Sequence, residues 1–478
     1  MKIVIIGAGP CGLGAAFRIN ELLNGELADK KEEIMVKVLE QEPFAGGLSR
    51  TVVDDKGFLW DMGGHITFHH NFPYYQNAVK MAIEEWNELK RNCQVDMNYL
   101  FNEEGIHLVP YPAQYAVPLF PPQVKKDCLI DLKERHENPP TDIPRNFEEW
   151  VQNNFGPTIL ESFFKPYTRK VWTVEPAEMN PGWVGSRVAK LDQQKLEELC
   201  EMDQEQLKHV DFGWGPNAVF TFPKYGGTGA VWKSMASKTP SDWYSFNSSV
   251  VKINPQDKKV VYMDKTNAEE PKECETDYDV LINTTPINLL GKYTGLCPDL
   301  DMTYNKVFVV GIGLKLPKPE WTDSFTWLYF PDSAVPFYRV TFFSTYGEVT
   351  PDSNQYWSVM CESARKVDDP VTQEEITEQS IQGLITKSII TKEQIVSVYS
   401  TTLPYGYPIP TINRDAELVK AHTVLEKNQI YSRGRFGGWK YEASNQDHCF
   451  VQGKELIDRL LLGQPECLYK TGLIDKQG

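Results

Sequence analysis

Residues 3–23 read IVIIGAGPCGLGAAFRINELL. The four residues 3–6 are all β-branched, which suits a strand, and the small residues after them let a helix begin tightly against it. Gly7, Gly9 and Gly12 spell GxGxxG, the turn in which main-chain amides and a helix N-terminus approach a pyrophosphate. A second strand is expected in IMVKVLE, residues 34–40, ending at Glu40, whose carboxylate suits a ribose hydroxyl. The unit is a βαβ opening. Its charged linker, NGELADKKEE at 24–33, leaves Glu40 28 residues beyond Gly12, where about 20 is usual, so an excursion is expected there. Alone, GxGxxG also fits a structural glycine turn; the strand before it, the helix after it and the acid at the next strand end favour a dinucleotide site.

Two further glycine doublets follow closely: Gly46 and Gly47 in EPFAGGLSRT, Gly63 and Gly64 in FLWDMGGHITF. Repeated close approach of main chain suits a long cofactor, and FAD is longer than NAD. His65 follows the second doublet. A lone histidine is often structural, but this one stands beside glycines placed at the cofactor.

The full chain, 478 residues, suggests about three units at about 150 residues each. Its charge, 49 − 65 = −16, should repel nucleic acid and anionic membrane faces, so a polyanionic ligand would need a local basic pocket. Nine cysteines without a CxxC pair read as reduced thiols in a cytoplasmic protein and offer no metal spacing. The longest apolar run, 307–314, is far short of the ~20 residues that span a bilayer. Residues 71–208 read as mostly helical, with EEW and NELK periodicities and amphipathic segments at 147–155 and 159–164, interrupted by PYPAQYAVPLFPP; the acidic stretch 191–208 reads as an exposed helix or connector. Strand text returns at 248, and 307–314, 326–330, 338–343 and 356–361 suggest an antiparallel sheet, followed by a helix at 372–387 and a strand at 394–400.

Arginine and aromatic residues concentrate in three places: Arg187 in GSRVA; Trp327, Tyr329, Arg339 and Tyr346 in WLYFP…PFYRVTFFSTY; and Arg433, Arg435, Trp439, Tyr441, Asn445 and Gln446 in YSRGRFGGWKYEASNQDH. Guanidinium forks and phenols give a diphosphate charge-assisted, directional bonds, and aromatic faces suit a nucleobase or sugar. Any one of them alone fits a surface ion pair or a core aromatic. GxSxG, HExxH and Walker A motifs are absent, so the cofactor is expected to carry the chemistry.

The strings GGHITF, VPYPAQ, KPYTRKVW, GSRVA, GWGPNAVFTFP with GGTG, WLYFP…PFYR, GYPIPT and SRGRFGGWKYEASNQDH, in this order from residue 3 to about 462, closely resemble the eukaryotic-type UDP-galactopyranose mutases. The resemblance implies a mixed α/β fold of three domains: a Rossmann-type FAD-binding domain (1–95, 215–300 and 400–478), an inserted α-helical substrate domain (115–214), and a six-stranded antiparallel β-sheet domain (96–114 and 301–399). It implies interconversion of UDP-galactopyranose and UDP-galactofuranose by attack of reduced flavin N5 on the anomeric carbon, with UDP expelled and recaptured and the flavin reduced by NADPH or NADH.

Carried onto this chain, the resemblance places Arg187 and Arg339 at the diphosphate, with the phenols of Tyr329, Tyr346, Tyr407 and Tyr441 and the amide of Asn217. Tyr111, Gln114, Thr168 and Trp172 fall at the uridine, Trp327 and Arg435 at the galactose, and His65 beside the flavin on a loop that moves with redox state. The FAD positions are Gly7, Gly9, Pro10, Cys11, Gly12, Glu40, Gln41, Gly46, Gly47, Leu48, Gly64, His65, Val251, Ser444, Asn445 and Gln446. Thr168, where relatives have asparagine, and Ala113, where an aromatic is common, depart from the pattern and loosen the uracil end. Two rivals stay open: a flavin oxidoreductase of the amine oxidase or protoporphyrinogen oxidase type, and a flavin-free binder resembling the GDP-dissociation inhibitors. A monomer without metal, nucleic-acid or membrane partners is expected.

Overall fold

The computed structural model describes residues 1–473 apart from 69, 102–104, 186–187, 189–192, 208–209 and 211–218. The opening strand, Lys2–Ile6, is central in a five-stranded parallel sheet: Val280–Asn283 and then Ile430–Ser432 lie on one side, Met35–Leu39 and then Tyr244–Ser245 on the other. Both faces are covered, which is why residues 3–6 of the strand are all apolar instead of alternating. Ile3 and Ile5 pack with Leu13, Phe17, Phe450 and Ile457 of the helices Pro10–Leu23 and Gln446–Leu462. Val4 and Ile6 pack on the opposite face with Ile287, Leu290, Leu418 and Leu425. Full burial of each such side chain contributes about 1.5–3 kcal/mol. The excursion expected at 24–33 is there, as turns around a short 3₁₀ segment, Ala28–Lys30.

A larger sheet has seven strands in the order Ile395–Leu403, Asn305–Lys315, Tyr356–Lys366, Arg339–Thr341, Trp327–Tyr329, Cys93–Asp96, Leu108–Pro110. Its neighbours are antiparallel except Trp327–Tyr329 with Cys93–Asp96, which run parallel. This corrects the six antiparallel strands implied by the resemblance and, for 86–110 alone, the mostly helical reading of 71–208. The text read as helical NELK is the strand Trp86–Lys90, paired antiparallel with Val219–Pro223 more than a hundred residues away. Partners so distant override the helix-forming composition of the segment, because strand formation depends on cross-strand packing more than on intrinsic preference.

One face of the large sheet buries Phe308, Val310, Ile312 and Leu314 against Ile376 and Leu384 of the helix Gln373–Thr386. That helix starts with a capping box, Thr372 accepting from the Glu375 amide while Glu375 accepts from the Thr372 amide. The opposite face packs on Phe58, Trp60 and Met62 and on the helical region, whose helices include Pro122–Glu137, Phe147–Phe155 and Lys165–Trp172. A π turn, Leu160–Phe164, leads directly into the last of these. An antiparallel three-stranded sheet, Ser248–Asn254, Lys259–Asp264 and Lys272–Asp277, completes the architecture. All nine cysteines are free thiols. Among the described residues no helix is long and apolar enough to cross a membrane.

Candidate active site

The C-terminal end of the opening strand forms a groove walled by main chain. Gly7 has φ +98°, and a Cβ there would run into the Thr284 hydroxyl; a Cβ on Gly12 would overlap the Gly7 carbonyl oxygen. The Gly46 amide donates to Ala8 O at 2.9 Å, bringing the first glycine doublet onto the GxGxxG turn. The helix Pro10–Leu23 starts at Gly9 with no side-chain cap, as does the helix Gln446–Leu462 at Asn445. Each presents first-turn amides and the positive end of a helix dipole, a setting for phosphate. Glu40, 5 % exposed, accepts from the amides of Ala8 at 2.6 Å and Glu42 at 2.9 Å. Burial raises its carboxyl even though these two amides work against the shift.

Val251 is 43 % exposed at the bulge of its strand, where the register shifts between Val250 and Lys252. Gln41, next to Glu40, is exposed. Gln446 accepts from Trp232 Nε1 at 2.8 Å and donates to Ile66 O at 3.4 Å, joining the second uncapped helix to the glycine–histidine loop. Ser444 Oγ donates to Tyr441 O at 3.0 Å. Cys11 is buried beside Gly434, and burial raises its thiol, so it is inert lining. Main chain brought close by glycines, two helix starts without a side-chain cap and an acid at the strand end fit a long dinucleotide such as FAD.

The second wall comes from the large sheet. Tyr329, Arg339 and Glu362 are directly opposite one another on three adjacent strands, so their side chains share one face. Arg339 donates to Glu362 through Nε at 2.5 Å and Nη2 at 2.7 Å. Glu362 also accepts from the Tyr338 hydroxyl at 3.0 Å and the Gly64 amide at 3.1 Å. Gly64 lies against Thr341 and the Arg339 guanidinium, so any larger residue would push the loop off the sheet. Burial alone would raise the Glu362 carboxyl, but the Arg339 guanidinium beside it holds it below the usual carboxylate range. The carboxylate is therefore charged, and Arg339 Nη1 is left without a hydrogen-bond partner among the described residues.

His65, next along the loop, has its Nδ1 buried with no hydrogen-bond partner among the described residues. Burial, with Arg339, Arg435 and Arg50 nearby, pushes its imidazole down to about 4 despite Glu362, so the ring is neutral at pH 7. Across from Arg339 the aromatic rings close up: Trp172 lies 4.7 Å from Tyr441 and 5.5 Å from Tyr407, and Tyr111 4.9 Å from Tyr329, between ring centroids. The Arg435 guanidinium sits 5.2 Å from the Tyr407 centroid and 5.4 Å from that of Tyr441, in cation–π range. Burial pushes the Tyr407 phenol up to about 12, so it is protonated and able to donate at neutral pH. Asn305 sets this wall: it donates to Val171 O at 2.9 Å and accepts from the Tyr407 amide at 2.9 Å.

Residues 12–303 match the family model described as flavin containing amine oxidoreductase. Over 97 % of its length, and 94 % of the other chain, the protein superposes with a TM-score of 0.85 and 36 % identity on the crystal structure of a reduced UDP-galactopyranose mutase. The chain belongs to the UDP-galactopyranose mutase family, within the flavin containing amine oxidoreductases. A protein described as a protoporphyrinogen oxidase from Exiguobacterium (15 % identity, TM-score 0.68, 97 % and 99 % covered) shares the fold alone. So does a fatty acid isomerase from P. acnes (16 %, 0.58, 96 % and 98 %).

Of the positions that the mutase resemblance singles out, the fold brings His65, Tyr111, Trp172, Tyr329, Arg339, Tyr407, Arg435 and Tyr441 together, with Trp327 6.4 Å from Tyr329 between ring centroids. Tyr346 is set deeper: it is fully buried against Phe220 and Phe222, its hydroxyl 3.4 Å from Thr326 O. Gln114 and Thr168 are buried in the helical region. Arg187 and Asn217 lie outside the described residues. Glu362, Tyr338 and Asn305 escaped the sequence reading, as did Arg91, whose guanidinium lies 5.0 Å from the Trp327 ring centroid. Glu362 had one signal, the single charged residue in the text YWSVMCES.

Arg433, although in the same string as Arg435, is bound up in an ion-pair network with Glu466 and Glu426. Among the described residues, His70, Asp447 and His448 bring three metal-ligand atoms within 4.8 Å of one another. His70 Nδ1 and Asp447 Oδ2 are 2.6 Å apart, a hydrogen-bond distance. Two ligands about 2 Å from one tetrahedral ion would stand more than 3 Å apart.

Proposed function

We propose that the protein interconverts UDP-galactopyranose and UDP-galactofuranose with reduced FAD, NADPH or NADH serving as reductant. The observation that carries the reading is Arg339: a guanidinium held on two atoms by a buried carboxylate, one edge unspent, directly against the glycine–histidine loop. Membership of the mutase family supports it. Gly7, Gly9, Gly12, Glu40, Gly46, Gly47 and the helix starts at Pro10 and Gln446 would hold the cofactor. When bound and reduced, the flavin supplies a nucleophilic nitrogen for the anomeric carbon.

The chain's own residues act on the leaving group. As the anomeric C–O bond breaks, negative charge grows on the diphosphate, and fixed positive charge beside it stabilises that charge more than it stabilises the ground state. Arg339 supplies it, with Arg187 assigned beside it from the resemblance, and the phenols of Tyr329, Tyr407 and Tyr441 donate directionally, while Arg435 and Trp327 are assigned to the galactose. Glu362 pins Arg339, so no reorganisation is needed as charge develops. Because expelled UDP must return to the same carbon, a wall that retains the diphosphate serves both halves of the reaction. The Trp172–Tyr407–Tyr441 cluster shields that interval from water, and neutral His65 offers an uncharged hydrogen-bonding atom beside the cofactor. Tyr111, Gln114 and Thr168 are assigned to the uridine.

Anaerobic incubation with UDP-galactopyranose and NADPH should yield UDP-galactofuranose on chromatography, and air-oxidised enzyme should yield none. Absence of the furanose together with peroxide release from an amine or a porphyrinogen would overturn the reading in favour of an oxidase.

A further inference from the structure

Lys170 lies in the helix Lys165–Trp172, two residues before Trp172. Its ammonium donates to the main-chain carbonyls of Asp332 and Val335. Both belong to the turn 330–338, which joins the strand of Tyr329 to that of Arg339. A third carbonyl of this turn, Pro336 O, accepts from Arg365 Nη1 at 3.4 Å, and Arg365 shares a strand with Glu362. On its other side the turn buries Val335 and Phe337 against Gly383 of the helix Gln373–Thr386.

The charge of Lys170 is hard to account for by stability. Burial first, then Arg365 and Lys387, push its ammonium down to about 8, with Asp332 acting the other way. It makes no carboxylate ion pair within 4.0 Å among the described residues. Desolvating a cation costs several kcal/mol unless it is well compensated, and a methionine of similar length would fill the space without that cost. What a methionine lacks is the ability to hold two carbonyls of a turn that lies on a different element.

We infer that Lys170 is a positioning residue of the diphosphate site, tying the turn of the Tyr329–Arg339 hairpin to the helix that carries Thr168 and Trp172. The two walls of the pocket are then held at one spacing by a cation that need not touch the ligand. The inference rests on the proposed reading of the pocket as a UDP-sugar site, and its test separates the two.

Amide hydrogen exchange across 327–341 is followed by mass spectrometry in the flavin-loaded protein without ligand, for wild type, Lys170→Met and Lys170→Arg, beside titration with UDP and thermal melting. Expected for Lys170→Met are an undiminished melting temperature, exchange at 331–338 faster by about tenfold, and UDP affinity weaker by about tenfold, a factor equivalent to 1.4 kcal/mol; Lys170→Arg should recover part of both losses. Unchanged exchange in Lys170→Met overturns the inference. If wild type fails to bind UDP, the functional reading falls and the exchange data still decide whether Lys170 tethers the turn. If Lys170→Met loses its flavin, Lys170→Gln is measured in its place. Unfolding of both variants would show an ordinary structural lysine and overturn the inference too.

Discussion

Arg339 and Arg433 are both guanidiniums gripped by a carboxylate on two atoms, and they have opposite uses. Arg433 has no exposure: Nε and Nη2 donate to Glu466 at 2.6 and 2.7 Å, Nη2 also to Glu426 at 3.0 Å, Nη1 to Ser432 O at 2.8 Å, and Tyr469 covers its face at 4.8 Å. Every nitrogen is spent, and Arg459 stitches the same two acids together again. Arg339 spends Nε and Nη2 on Glu362, keeps Nη1, and leaves 18 % of its side chain exposed. A closed pair stabilises a fold. An open pair orients a charge toward something that arrives.

The difference can be broken from either side. Arg433→Ala should have the largest effect, about 3–5 kcal/mol of stability, because it removes the central cation of the network and leaves Glu466 and Glu426 only the half-exposed Arg459; a denaturant midpoint equal to wild type would remove the contrast. Arg339→Ala should lower kcat/KM by about 2–5 kcal/mol, the cost of deleting one member of a buried charge pair at a binding surface, while the purified protein keeps its flavin absorbance. Near-full turnover in that variant would count against Arg339 as the diphosphate cation. Asn305→Leu leaves the Val171 carbonyl and the Tyr407 amide without a partner and should cost about 1–3 kcal/mol of stability, with weaker UDP binding.

Two buried acids sharpen the comparison through pH. Glu362 is held below the usual carboxylate range in the folded protein, so its contribution is complete above its unfolded value, about 4.3, and is lost as pH falls through the folded value. Asp61 runs the other way. It has no exposure and, among the described residues, no cation partner, accepts from Thr51 Oγ1 at 2.5 Å and the Thr228 amide at 3.3 Å, and burial pushes it up to about 7 despite those bonds. Its contribution is full below about pH 4 and declines as pH rises to about 7. Urea midpoints of Asp61→Asn measured between pH 5 and 8 should lack that decline, and a wild-type slope retained in the variant would show that another group is responsible.

Reading along the chain recovered what depends on neighbours a few residues apart. The strand 3–6, the GxGxxG turn, Glu40 at the next strand end, the helix that starts after Thr372 and the strands at 307–314 and 356–361 all stand where their local text puts them. The same approach failed at Trp86–Lys90, whose helix-forming composition yields to a strand partner at Val219–Pro223, and at the large sheet, where Cys93–Asp96 and Leu108–Pro110 add strands and one parallel pairing. It placed Arg433 and Arg435 in one functional string, whereas two residues of spacing separate a closed ionic core from a guanidinium lying over two tyrosine rings.

Glycines that admit close main-chain approach, β-branched runs and acid at a strand end are properties of the text, since each acts within one turn or strand; from them follow the parallel sheet and its dinucleotide groove. The pairing of Arg339 with Glu362, the approach of Gly64 to both and the grip of Lys170 on the hairpin turn depend on strand register between segments as much as 298 residues apart. Register is set by the sum of packing over whole sheets, so no single string of residues carries it, and the Glu362 grip that orients Arg339 came into view with the fold.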